Sequence, residues 1–214
     1  MYFEFIKDAA PQTEELRTLH ESLYELLKEA EELYWSAPQK SGMLLRRATE
    51  KVCRIYNSYY EIGFPENMLL EGYLCYTGEE AHNVMVSRFL SVVRKEQRDH
   101  LEWLRVWGDE CIFMDENPHE ISRSQDKLYL NVKKMMTAML NVTREMCEKI
   151  DRMEQLEKTT FDDTALPGYQ SEEELEELLW QQEEEARKER RKNFFARLLG
   201  KEKKQEKESE SCQK

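Results

Sequence analysis

Arg94 and His100 are the pair whose types and spacing could carry out phosphoryl chemistry; five residues separate them. An arginine stabilises charge developing on a phosphate, and a histidine near neutral pH acts as general acid or base. Together they could cleave RNA without a metal. The plainer reading is a solvated charged bend, because residues 94–100 read Arg-Lys-Glu-Gln-Arg-Asp-His. Glu79-x-x-His82 has the spacing that sets a carboxylate and an imidazole on one helix face, an arrangement that di-iron bundles need twice over. The other such pair, Glu116-x-x-His119, has Pro118 inside it at a turn. One usable pair reads as surface residues near a helix start, so no metal and no cofactor is expected.

Other catalytic signals are missing. There is no G-x-S-x-G elbow, and seven scattered glycines form no phosphate-cradling loop. The five cysteines, at 53, 75, 111, 147 and 212, are odd in number and contain no C-x-x-C. Most fall on apolar helix faces, where cysteine acts as a small hydrophobe. A reducing cytoplasm fits this usage. The first residues show no basic region followed by an apolar run, so no signal peptide is expected.

The second candidate is a binding surface near the C-terminus. Phe194, Phe195, Leu198 and Leu199 share one side of a helical turn, flanked by Arg190, Arg191, Lys192, Arg197 and Lys201. A basic amphipathic helix docks in a partner's groove or lies on an anionic membrane. The acidic block before it, residues 172–185, weakens membrane attraction, which favours a protein partner. RNA contact by this patch lacks a defined reading motif.

These groups need elements to position them. The chain has 214 residues, 36% charged and 40% hydrophobic, with only seven glycines and five prolines. That composition suits long helices and disfavours turn-rich sandwiches and barrels. The formal charge of −12 repels phosphates on average. No apolar run approaches the length of a membrane span.

Periodicity predicts a first helix over residues 13–34, with Leu16, Leu19, Leu23, Leu26, Leu27, Ala30 and Leu33 in one stripe. A second runs from Pro38 to about Glu61, with Ser36 as its cap. A short third is expected from Pro65 to Leu74. The pattern over residues 79–107 is helical, with a bend or short loop in the charged interval. Gly108 reads as a cap or a point of close helix approach. The longest pattern covers residues 121–153, capped by Ser122 or Ser124; its Met-rich face is expected to fill core.

Two segments carry a family resemblance. Tyr34-Trp35-Ser36-Ala37-Pro38 precedes Leu44-Leu45-Arg46-Arg47-Ala48-Thr49-Glu50-Lys51. Leu104-Arg105-Val106-Trp107-Gly108-Asp109-Glu110 follows later. Together they resemble a bacterial helical domain of unknown function that occurs alone and in type I restriction endonuclease subunits. That domain is similar to the wider HEPN-like helical clan, whose ribonucleases carry an Arg-(x4–6)-His motif like Arg94 and His100. The resemblance covers residues 13–153. Its matching positions are Trp35, Pro38, Arg46, Glu50, Arg105, Gly108 and Asp109. Asp109 replaces the family's Asn, and Phe113 stands where its His is expected. That loss removes the acid or base from the aligned motif, leaving Arg105 a structural role, paired with Glu50 between helices.

The expected architecture is all-α: an up-and-down bundle of about five helices with a long charged C-terminal helical tail. The expected division is a HEPN-like bundle over 1–158, a linker over 159–170, a charged amphipathic helix over 171–200 and a disordered tail over 201–214. The expected function is a non-catalytic protein-interaction or regulatory module in the cytoplasm, which the resemblance ties to phage defence or nucleic-acid metabolism. Its contacts would be Phe194, Phe195, Arg197, Leu198 and Leu199, with the neighbourhood of Trp103, Arg105 and Trp107 a second surface. Two alternatives stand beside it. One is a metal-independent ribonuclease using Arg94 and His100 from a homodimer interface. The other is a peripheral membrane protein held by the tail.

Overall fold

The computed structural model describes residues 1–116, 118–153, 156, 160–169 and 188; for 118–126 only the backbone is described. Every regular element among them is helical: α1 (Glu14–Leu33), α2 (Pro38–Tyr59), α3 (Leu70–Leu74), α4 (Glu80–Val92), α5 (Lys95–Glu116) and α6 (Pro118–Ile150). Two 3-10 turns, Glu4–Asp8 and Asp163–Ala165, complete the set. The six helices exceed the expected five because the charged interval splits the fourth pattern into α4 and α5.

The long helices α1, α2, α5 and α6 form the body, with α2 packed against the other three. The predicted stripes face inward: Leu16, Leu23, Leu27 and Ala30 of α1, and Leu45, Ala48, Val52 and Ile55 of α2, are buried. Met135, Met136, Met139 and Met146 of α6 are fully enclosed, so the Met-rich face is core. The unbranched thioether fills the irregular gaps between crossing helices.

Several boundaries differ from expectation. Thr13 caps α1, its side chain accepting from the Leu16 amide at 3.2 Å. Ser36 does not cap α2; Ala37 holds that position without a side-chain bond, and Pro38 opens the helix. Ser122 and Ser124 lie inside α6, which starts earlier at Pro118. The third helix begins at Leu70 rather than Pro65. Pro65 instead starts a turn closed by the Met68 amide, and the Asn57 side chain holds the Gly63 and Phe64 amides out of helical register. Gly63 sits there at φ +101, a left-handed value that glycine adopts readily. The bend falls at Val93–Arg94. Arg98 fixes that corner by donating to the Val93 and Leu90 carbonyls, the free C-terminal acceptors of α4.

The first compact unit runs Met1–Tyr169 and the second Gln170–Lys214. The segment read as a polar linker therefore belongs in part to the bundle. Phe161 and Leu166 are buried, and the Trp35 indole donates to the Asp163 carbonyl at 3.2 Å. Tyr34, Trp35, Tyr129 and Tyr169 form the aromatic seat for this segment, with neighbouring centroids 4.9–6.3 Å apart.

Candidate functional site

Most of the candidate residues that the structure describes gather around α5, which presents three different sides. The inner side faces α2. Gly108 receives the stem of Arg46: a Cβ added there would lie 2.5 Å from the Arg46 Cβ. One turn on, Cys111 fills the notch at Gly42 of α2. These glycines set the close approach of the two helices, the second of the roles expected for Gly108.

Across that contact the Arg46 guanidinium reaches three elements. It donates to Asp109 Oδ1 at 2.5 Å, Glu50 Oε1 at 2.9 Å and Glu71 Oε1 at 3.0 Å. Arg105 holds Glu102 through two bonds, at 2.5 and 3.0 Å, and reaches Asp109 at 3.4 Å. Burial opposes the charge on Arg46, but the bond to Asp109 and the nearby carboxylates outweigh it and hold its pKa above the ordinary value. The bond from Arg105 likewise lowers the Glu102 carboxyl. The expected Arg105–Glu50 pair does not form, because Arg46 occupies Glu50 and Arg105 turns along its own helix. Of the motif-matching residues, Arg46, Glu50, Arg105, Gly108 and Asp109 converge here. Trp35 and Pro38 sit apart at the α1–α2 corner.

The second side of α5 faces α6 across a half-open cleft of about 480 Å³. Arg94 and His100 both line it, together with Gln97, Asn141, Arg144 and Glu145. Arg94 pairs with Glu145 at 3.5 Å, and Lys149 reaches the same oxygen at 3.0 Å. Glu148 accepts from the Leu156 amide at 3.0 Å. Gln97 is buried and donates to the Asn141 carbonyl at 3.4 Å; its own oxygen has no hydrogen-bond partner among the described residues. The same holds for His100 Nδ1.

The third side faces water. Trp103, Val106 and Phe113 are 49%, 44% and 56% exposed. Their steps of three and seven keep them on one face. Trp107 is half-buried beside them under Lys127, whose ammonium lies 5.6 Å from its ring centroid and 3.4 Å from Glu110.

No family model, curated protein or solved structure matches this chain. Its functional reading therefore rests on its own residues.

His82 is buried, contrary to the expectation of a surface pair with Glu79. It contacts the Cys75 carbonyl at 3.3 Å and packs edge-on against Phe64. Among the described residues no group of three His, Cys, Asp or Glu is placed to hold a metal ion. Cys53, Cys111 and Cys147 are buried and their thiol pKa values are pushed up by that burial, Cys111 to about 12, so they stay protonated. Phe194, Phe195, Arg197, Leu198 and Leu199 lie outside the described residues. Among those described, no helix is long and apolar enough to cross a membrane.

Residue reasoning overlooked Glu71, Glu102, Gln97 and Val106. Glu102, Arg105 and Asp109 carried a signal, the i, i+3 and i, i+4 spacing of helical ion pairs. Glu71 carried none, since its partner is 25 positions away.

Proposed function

We propose that the domain is a non-catalytic protein-interaction module whose contact surface includes the outward side of α5. The observation that carries this reading is the exposure of Trp103, Val106 and Phe113 on one face of a helix whose opposite face is already buried. A helix with apolar residues on both sides belongs between two partners. Leu101, Leu104, Cys111 and Met114 supply the inward contact to the bundle. Large apolar side chains grouped at a surface mark interaction sites, whereas single ones do not.

Mass-spectrometric capture by the full chain tests this reading, run beside a Trp103→Glu/Val106→Glu variant with unchanged circular dichroism. Proteins lost with the variant are expected. An identical set from both chains would remove α5 as the contact surface.

A second reading has its own observation. Arg94 and His100 share one cleft with Arg144, the grouping an RNA-cleaving site needs. The charge of that cleft opposes it: Glu96, Glu145 and Glu148 line the same walls and repel a phosphodiester. Arg94 is also engaged by Glu145. Cleavage of single-stranded RNA by the full chain, abolished in Arg94→Ala/His100→Ala, would reverse the order of the two readings.

A further inference from the structure

The chain carries 44 carboxylates against 32 Lys and Arg, yet α2 reverses that balance, with five cations and one carboxylate. That carboxylate, Glu50, is taken by Arg46, which also makes the other ion pairs of the helix among the described residues. Lys40, Arg47, Lys51 and Arg54 make none. Their steps of seven, four and three keep them within about 60° of one another around α2, in a row about 21 Å long. Lys40 and Arg47 are exposed, and Lys51 and Arg54 are half-buried. The row lies opposite Leu45, Thr49, Val52 and Cys53, which face the core. Burial, with Arg54 and Arg47 close by, holds the Lys51 ammonium below its ordinary pKa, and Glu50 offsets them only in part. The Nε of Arg54 is enclosed without a hydrogen-bond partner among the described residues. Cations crowded in this way gain from an anion laid on them.

From this we infer that the Lys40–Arg54 row of α2 docks an acidic helix of a partner protein. A helix presents carboxylates at the same steps of three, four and seven, so its row matches this one charge for charge. Nucleic acid fits less well. Residues 40–54 include no Phe, Tyr, Trp or His on which a base could stack. A phosphate backbone running past the row would also meet a chain of net charge −12. The row is a second surface, and its binding stands whether or not the outward side of α5 makes a contact.

Fluorescence anisotropy with the full chain and three labelled probes tests it. One is an Ala-based helix of about 18 residues, or about five turns, with Glu along one face. One is its Lys counterpart, and one a deoxythymidine strand of about 12 nucleotides. The Glu helix is expected to bind at least about tenfold more tightly than either control. Arg47→Gln/Lys51→Gln, with unchanged circular dichroism, should weaken it about tenfold. Lys28→Gln/Lys134→Gln changes the net charge equally outside the row and should leave binding within about twofold. Rising salt should weaken the complex.

Equal losses in the two variants would reduce the effect to net charge and overturn the inference, as would wild-type binding by Arg47→Gln/Lys51→Gln. Tighter binding of the deoxythymidine strand, lost in that variant, would assign the row to nucleic acid and overturn the partner's class. No binding of the Glu helix overturns the docking surface itself.

Discussion

The inner and outer sides of α5 use similar residue types to opposite ends. Toward α2, glycine replaces bulk so that two helices touch, and the charges are collected into a network joining α2, α3 and α5. Toward solvent, large apolar side chains stand at the surface among carboxylates. On the inner side a charge is held by geometry and its removal strands its partners. On the outer side the charges are hydrated and the apolar groups have the most to gain from a contact. The same helix is thus a structural pillar on one side and a presented surface on the other. Arg46, Gly108 and Asp109 fall on the pillar side.

That contrast predicts unequal costs. Arg46→Ala should be the most damaging of the surface-accessible charge changes. It leaves Glu50, Glu71 and Asp109 facing one another without their shared cation. Breaking a largely buried pair costs about 3–5 kcal/mol; because Glu71 and Asp109 keep solvent access, about 3 kcal/mol is expected here. Urea denaturation read by circular dichroism measures it. A loss below about 1 kcal/mol, the value of exposed pairs, would place the cluster with ordinary surface charges and dissolve the contrast.

Gly108→Ala should follow at about 2 kcal/mol, within the range for overpacking. The new methyl meets the Arg46 Cβ, which belongs to the stem and cannot swing away. The tighter notch at Gly42 faces the Cys111 sulfur. A Gly42→Ala loss should therefore be partly restored by Cys111→Ala, and the pair should couple in a double-mutant cycle. Strict additivity would show that the helices separate rather than clash.

His20 gives the smaller, pH-dependent effect. Its ring lies buried between two acceptors, the Leu16 carbonyl at 2.7 Å and Asp151 Oδ2 at 3.0 Å, tying α1 to the residue after α6. Burial works against the imidazolium, but the Asp151 and Leu16 bonds outweigh it, and the pKa is raised above the ordinary 6.5. A raised folded pKa stabilises fully below the unfolded value and loses that contribution as pH rises through the folded value. Stability should therefore decline above pH 6.5, and His20→Gln should flatten that part of the profile. A variant with the wild-type slope would exclude His20 as its source.

The fold was legible where one helix speaks for itself. The stripes of α1 and α2, the methionine face of α6 and the break at Val93–Arg94 all follow from local periodicity and charge. What escaped depends on partners far along the chain. Phe3 and Ile6 are buried by a 3-10 turn at the N-terminus, with no periodicity to announce them. The segment around Asp163 reads as polar connection until Trp35, Tyr34 and Lys133 are seen to bind it. His82 reads as a surface residue because Phe64 and Cys75, which pack against it, come from outside its helix. Arg94 and His100 were visible as a pair, and they do share a cleft. The Glu145 that engages Arg94 comes from another helix and could not be read from spacing.

The smallest expected effect is the most informative about the outer side. Trp103→Ala removes the largest side chain of the stripe, yet that chain is 49% exposed. Its stability cost should stay within about 0.5 kcal/mol, as for surface substitutions away from packed features. Leu104, its neighbour in sequence, is fully buried, and Leu104→Ala should cost about 2–5 kcal/mol through the cavity it leaves. Paired denaturation curves read the difference directly. A Trp103→Ala cost approaching that of Leu104→Ala would mean that Trp103 supports the bundle itself, and the outer side of α5 would then be structure rather than contact surface. A negligible cost, joined to loss of the captured proteins, would separate binding from folding at a single residue.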